Sequence, residues 1–316
     1  MLEDTIEHNR ASITALGAAL MRAAHTRLAP SPLIQDPWGD RIVLERERDI
    51  VQRVVLDALT PQARERCQAL GTSALVLDAA LQRHPGYGWA ILRTRYAEDA
   101  LAAAVGRGVR QYVIVGAGFD SFSLRAPASA REVDVFEVDH PATQALKQER
   151  LQEAGVRLPP TLHFVPADLA RVQLGEALAE TSFRPSEPAF FSWLGVTQYL
   201  TREANVLTLQ GVGRSTPGSE LVFTYVDERE LGGAGATTEV GRLQGAFATA
   251  REPWLSGFDP SSLGAELAAV GLRLLEDLDG DGARRRYCGD ERHDLRPVVA
   301  SHIAHARVAE RPAPGI

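Results

Sequence analysis

From Gln111 onward the hydrophobic positions fall into short solid runs separated by longer one-sided stripes. The solid runs are Tyr112–Val115, Val133–Val138, Leu162–Val165, Ala189–Leu194 and Glu220–Val226. They are rich in β-branched and aromatic residues, as strands of a parallel sheet covered on both faces must be. The stripes between them, Pro141–Ala154, Leu169–Glu180 and Arg202–Arg214, have helical spacing. This alternation predicts an α/β fold: a parallel sheet with helices on both faces and right-handed crossovers. Farther on, Pro260–Val270 predicts a helix, and Leu272–Leu278 and Val298–Ala304 predict strands. The Asp277–Arg286 stretch between those strands predicts a polar turn.

Residues 1–107 show no strand-like alternation. Ile13, Leu16, Leu20 and Ala24 recur at helical spacing, and Pro30, Pro32 and Pro37 break the chain after them. Pro61 suits the first turn of another helix, and Trp89–Val105 predicts a last helix before the sheet. The chain therefore divides into a helical cap or lid over 1–107 and a sheet domain over 108–310. The glycine-rich Glu230–Thr238 stretch predicts a mobile loop, and Arg311–Ile316 a disordered tail.

In such sheets a ligand sits outside the carboxyl ends of the strands. Strand one runs into Gly116, Ala117 and Gly118, where the lack of a Cβ lets the chain turn sharply and a ligand approach the backbone. Ser121 stands where the dinucleotide fingerprint has its third glycine, which disfavours NAD or FAD. A ligand without a pyrophosphate, such as S-adenosylmethionine, needs only the shorter turn. Strand two ends in Asp139, a carboxylate able to accept both hydroxyls of a ribose. Strand three is followed by Asp168 and Leu169, suited to an adenine amine and ring face. Each aspartate could equally be a helix N-cap, but acids at successive strand ends favour a nucleoside site. Arg93, just before the sheet, could pair with a cofactor carboxylate or with an acid on its own helix. Trp193 and Tyr199, after strand four, are candidates for an acceptor pocket.

Composition narrows the partners. The formal charge of −7 and the pI near 5.7 favour neither nucleic acid nor an anionic membrane. Arg284–Arg286 is the one basic cluster and is expected in a solvated loop. Cys67 and Cys288 belong to no ligand pattern, and no metal site is expected. The first ten residues lack the apolar core of a signal peptide, and no apolar run reaches the ~18 residues that span a bilayer. A cytoplasmic protein acting on a small molecule is the expectation.

The runs RTRYAEDAL, YVIVGAGFDSFSLR, FEVDHP, VPADL and SWLGVTQYL, in this order, resemble the leucine carboxyl methyltransferase-like family. The closer resemblance is to its bacterial branch of S-adenosylmethionine-dependent methyltransferases. The early TALGAALMRAA and LIQDPWGDRIV segments resemble that branch's cap, so the likeness runs from about Thr14 to about Leu207. It implies a class I methyltransferase (Rossmann-like) fold, with a mostly parallel seven-stranded sheet and an N-terminal helical cap. It implies S-adenosylmethionine as cofactor, with Asp139 on the ribose, Asp168 and Leu169 on the adenine, and Arg93 on the carboxylate. Leu194 stands where family members often carry an acid that would contact the cofactor's amino group.

The activity expected is O-methylation of a carboxylate or hydroxyl on a small molecule. Two other readings compete with it, an NAD-dependent oxidoreductase and a non-catalytic cofactor binder. His140 and His163 are candidate bases without a decisive signal, and no catalytic base is assigned.

Overall fold

The computed structural model describes residues 12–231, 238–249, 252–289, 295–298 and 300–310. Six helices come first: α1 (Ile13–Leu28), α2 (Trp38–Ile42), α3 (Glu45–Asp57), α4 (Pro61–Gln68), α5 (Ser73–Arg83) and α6 (Gly86–Gly106). Their starts are legible locally. Ser12, Thr60 and Thr72 each accept a first-turn N–H, and Pro61 occupies a position where its missing N–H costs nothing.

The sheet begins at β1 (Gln111–Val115), followed by α7 (Phe122–Arg125), β2 (Asp134–Asp139), α8 (Pro141–Glu153) and β3 (Leu162–Pro166). Then come α9 (Leu174–Ala179), β4 (Phe190–Trp193), α10 (Arg202–Gly213), β5 (Glu220–Val226) and α11 (Thr238–Thr249). The chain closes with α12 (Leu263–Ala269), β6 (Leu272–Leu278), α13 (Gly280–Tyr287) and β7 (Ser301–Val308). The strand order is β3-β2-β1-β4-β5-β7-β6. The first five strands are parallel, and β7 inserts antiparallel between β5 and β6. The order reverses between β1 and β4, which opens a crevice at their carboxyl ends.

Alternation along the strands assigns side chains to two cores. Tyr112, Ile114, Phe190 and Val222 face the cap and share a core with α1, α3 and α6. Val113, Val115, Phe191, Trp193 and Phe223 face the opposite side, under α9, α10 and α12. Cap and sheet thus pack as one core, and a boundary near residue 107 separates element types rather than hydrophobic cores.

Three expectations are corrected. The last strand is Ser301–Val308, not Val298–Ala304, because it pairs along the whole of β5, from Val226 opposite Ser301 to Glu220 opposite Arg307. Its half-polar sequence hides this: His302 meets Asp277 and His305 meets Glu220 in place of apolar contacts. The expected turn at Asp277–Arg286 contains α13, capped by Asp279 accepting from the Gly282 N–H at 2.6 Å. The arginine triplet lies on its last turn, where cations oppose the helix dipole, and Arg286 pairs with Glu276. The helix expected over Leu169–Glu180 shortens to α9, because Asp168 turns the chain by accepting the Ala170 N–H. Most of the expected mobile loop, residues 232–237, and the tail 311–316 lie outside the described residues.

The cap is fastened to the sheet by buried charge. Arg22 on α1 donates to Asp36 at 2.7 Å and to the Phe119 carbonyl at 2.8 Å. Arg125 approaches the same aspartate at 3.7 Å and pairs with Glu98 at 2.5 Å. Burial raises the Asp36 carboxyl's pKa, but the two guanidiniums more than reverse this, so it lies below 3.8. Ionised Asp36 therefore stabilises the fold above the unfolded value of 3.8, and the contribution is lost as the pH falls through the lower folded value. Asp36→Ala would strand the buried Arg22 cation, while Arg125 keeps Glu98, and is expected to cost about 3–5 kcal/mol in urea unfolding at neutral pH. The deficit relative to the unmutated chain should shrink at acid pH; a constant deficit would contradict the charge assignment.

Candidate functional site

The carboxyl ends of β1, β2, β4 and β5 open into a cavity of about 450 Å³, roofed by α1, α3, α6 and the Glu252–Leu255 strap. Of the residues singled out from the sequence, Arg93, Gly116, Ala117, Gly118, Asp139 and Tyr199 all line it. They are brought together by strand order, since β1 lies between β2 and β4.

The glycine turn is locked to the tip of β2. Gly116 and Ala117 donate to the Val138 carbonyl at 2.8 and 3.1 Å, and Gly118 donates to the Asp139 carboxylate. The other oxygen of that carboxylate takes the His140 N–H at 2.6 Å. Burial pushes the Asp139 carboxyl above its ordinary value, and the two backbone donors pull against that rise. Gly118 holds φ +50°, and a Cβ there would lie 2.9 Å from Ala15 of α1. The turn thus carries no side chain between Asp139 and the cavity.

Arg93, on the buried length of α6, reaches the loop after β4. Its guanidinium lies against Gly195, at φ +73°, where an added Cβ would fall 2.3 Å from Nη1. Burial lowers its pKa to about 10, and Arg22 adds to the fall, yet it stays a cation at neutral pH. Among the described residues it pairs with no carboxylate. A buried cation facing a cavity without a counterion calls for an anionic ligand group. This fits an amino-acid carboxylate, and the Asp139 tip fits a pair of ribose hydroxyls. Arg95 is different: it pairs with Asp99 at 3.0 Å, outside the lining.

One expectation is corrected by placement. Trp193 belongs to no acceptor pocket: strand alternation turns Ser192 and Leu194 toward the cavity and buries Trp193 in the opposite core against Phe223. Asp168 and Leu169 follow β3, one strand beyond the lining. Asp168 there accepts the Ala170 N–H and approaches Arg171 at 3.3 Å, while Leu169 packs on the far core. Ala167 nevertheless donates to the Asp139 carbonyl at 2.8 Å, so the pair sits at the rim beside Asp139. Leu194 lines the cavity, so the missing acid leaves an apolar surface there. His163 stacks on Phe136 at 4.7 Å, outside the lining.

The structure adds residues that carried no signal in the sequence. Glu252 accepts the Ile13 and Thr14 N–H groups at 3.0 and 3.1 Å, so a carboxylate from 239 residues away caps α1. Leu255 donates to the Gln198 carbonyl at 2.6 Å, which fastens the same strap to the loop after β4. Both histidines of the lining accept a backbone N–H at Nδ1, His84 from Gly86 at 3.0 Å and His140 from Ala142 at 3.2 Å. In the neutral His84 ring the hydrogen is therefore on Nε2, a buried atom. Burial lowers the His84 pKa to about 4, which keeps that ring neutral. Burial raises the Tyr199 phenol, which keeps it protonated. Among the described residues no group of three or more His, Cys, Asp or Glu could hold a metal ion. No helix among them is long and apolar enough to cross a membrane.

Comparison with known proteins accords with this geometry. The model of the leucine carboxyl methyltransferase family matches residues 15–213. A Bacillus subtilis protein described as "Putative S-adenosyl-L-methionine-dependent methyltransferase YktD" is 32% identical over 305 residues, 94% of this chain and 98% of that one. A Mycolicibacterium smegmatis protein of similar description is 35% identical over 226 residues, 70% of each chain. Among solved structures, a DUF574 family protein of Streptomyces avermitilis superposes with a TM-score of 0.53 at 17% identity, covering 81% of this chain and 96% of that one. A Thermobifida fusca protein gives the same TM-score at 15% identity, covering 82% and 95%. At those identities the structures speak for the fold, and the fold is that of the class I methyltransferases. With its family match over well more than half its length, the chain belongs to the leucine carboxyl methyltransferase family.

Proposed function

We propose that the protein transfers a methyl group from S-adenosylmethionine to an oxygen of a small molecule, and that this oxygen belongs to a carboxylate. Family membership makes the chain an S-adenosylmethionine-dependent methyltransferase; the acceptor atom is the finer reading. The observation that carries the reading is Arg93, a buried cation without a carboxylate partner among the described residues, in the same cavity as the Asp139 tip. Arg93 would hold the cofactor's carboxylate and Asp139 its ribose hydroxyls. Asp168 and Leu169 at the rim would hold the adenine.

The bound cofactor supplies an activated methyl carbon, and the protein supplies position. Alignment of the reacting atoms alone can lower a barrier by ~7–11 kcal/mol. A hydroxyl acceptor would profit from a base, whereas a carboxylate needs none. The lining favours the carboxylate, because Nδ1 of His84 and of His140 already accepts a backbone N–H and burial keeps the Tyr199 phenol protonated. Glu252 is spoken for by the α1 N-terminus.

The test begins with calorimetric titration by S-adenosylhomocysteine and NADH, followed by transfer of labelled methyl to panels of carboxylic acids and phenols. Binding of S-adenosylhomocysteine and an alkali-labile methyl product are expected. NADH binding in its place would revive the oxidoreductase reading, and an alkali-stable ether would overturn the carboxylate.

We propose further that the strap releases as ligands pass. Glu252→Gln weakens one charged cap on two N–H groups and is expected to speed S-adenosylhomocysteine dissociation about tenfold in stopped-flow displacement. An unchanged rate would show that the strap does not limit exchange.

A further inference from the structure

The cavity is asymmetric in a way that describes the acceptor. Its nucleoside end, at β1 and β2, holds Arg22, Asp120 and Asp139. The other arm extends over the ends of β4, β5 and β7, and its walls are largely aliphatic and aromatic, with Gln198, Thr224 and Ser301 among them. Val51 and Val55 of α3 enter from the cap, and Leu243 of α11 enters from the sheet domain. Val226 and Val298 form the floor, and Trp254 of the strap covers it. Val51, Val55, Val226, Leu243 and Val298 are each less than 5% exposed. Val226, Leu243 and Val298 belong to one small core cluster that joins α3 to the sheet.

Charge is scarce in this arm. Among the described residues its one acid is Glu252, and both oxygens of that carboxylate are taken by backbone N–H groups. At the junction of the two arms stand Arg93 and the Tyr199 hydroxyl. A guanidinium has five donors, enough to hold one carboxylate and still face a second. Beyond the junction the lining adds, among the described residues, neutral polar groups such as Gln198, Thr224 and Ser301, and no cation that could pair with a second anionic group. Burying an unpaired charge costs heavily, so the part of the acceptor that enters this arm must carry no charge, and the valines, Leu243 and Trp254 suit hydrocarbon. A cavity of about 450 Å³ that also takes the cofactor leaves room for a compact molecule only.

We propose that the acceptor is a compact monocarboxylic acid with an apolar body. Its carboxylate lies at the Arg93–Tyr199 junction, and its hydrocarbon lies between α3, α11 and Val298. The inference rests on the proposed cofactor and carboxylate chemistry and adds the substrate class. Methylation forms a bond from a carboxylate oxygen to the methyl carbon as the carbon–sulfur bond breaks. The sulfur keeps that electron pair, and the products are a neutral ester and S-adenosylhomocysteine, with no proton to place. A neutral ester suits an apolar arm at least as well as the acid that entered.

The experiment is calorimetric titration of the full chain, first with S-adenosylhomocysteine alone and then, once saturated, with octanoate or suberate. Suberate is the same chain length with a second carboxylate at the far end. Octanoate should bind, and suberate should bind at least about tenfold more weakly, because its second charge would be buried without a partner. Val54, which lines the arm but is half-buried, allows a second test. Val54→Trp should narrow the arm and weaken octanoate about tenfold while S-adenosylhomocysteine binds as before. Suberate as tight as octanoate, or no octanoate binding to the saturated protein, would overturn this inference alone. Failure of S-adenosylhomocysteine to bind would overturn the cofactor reading and this inference with it.

Discussion

Arg93→Met should raise the melting temperature of the cofactor-free protein and at the same time cut its affinity for S-adenosylhomocysteine about 100-fold. The two effects have one cause. In the free protein Arg93 is a buried cation that no described carboxylate offsets, and burial lowers its pKa to about 10. That is still well above neutral pH, so the group cannot escape the burial cost by giving up its proton, and the folded state carries a desolvated charge. Methionine fills similar space without charge and adapts to irregular walls. Each kcal/mol recovered should raise the melting temperature by about 1–2 °C in a chain of this size. With ligand present, the same substitution removes the donor for the cofactor's carboxylate, and a charged hydrogen-bonded contact is lost. Melting curves with and without S-adenosylhomocysteine, together with calorimetry, check both halves. A lower melting temperature in the free variant would mean that Arg93 holds the fold together rather than awaiting a ligand.

Asp139→Ala should abolish measurable binding of S-adenosylhomocysteine, a loss of about 100- to 1000-fold. Here the loss has two parts. The carboxylate would no longer accept the ribose hydroxyls, and the Gly118 and His140 N–H groups that it holds would lose their acceptor. The glycine turn would then be free to leave the position that lets the ligand approach. Asp139→Asn keeps one acceptor oxygen and should fall between the alanine variant and the unmutated chain. Because burial holds this carboxyl above its ordinary value, affinity should also weaken with falling pH sooner than for an exposed aspartate. Binding that survives the alanine substitution would place the nucleoside elsewhere.

How much of this was legible beforehand follows from the range of the forces involved. Secondary structure of the sheet domain is set by local periodicity, and β1 to β5 appear within a residue or two of where the hydrophobic runs place them. The runs fail where polar pairs replace apolar contacts. In β7, His302 and His305 meet acids on neighbouring strands, so the strand cannot be recognised until its partners are known. The same holds for α13, whose polar face gave no stripe and whose start rests on one aspartate cap.

For the site, the sequence by itself determined the residues whose chemistry is tied to a strand end. Gly116, Gly118 and Asp139 are such residues, because a parallel strand leads its following residue to the carboxyl edge wherever the strand lies in the sheet. Only the tertiary structure decided which residues share the cavity. Strand parity removed Trp193 from it, and strand order left Asp168 and Leu169 at its rim. The cap brought Arg93 against Gly195, and a strap brought Glu252 onto the α1 N-terminus across 239 residues. Those contacts depend on packing between elements distant along the chain. No local pattern encodes them, because the energy that fixes them is gained only once the core between cap and sheet has formed.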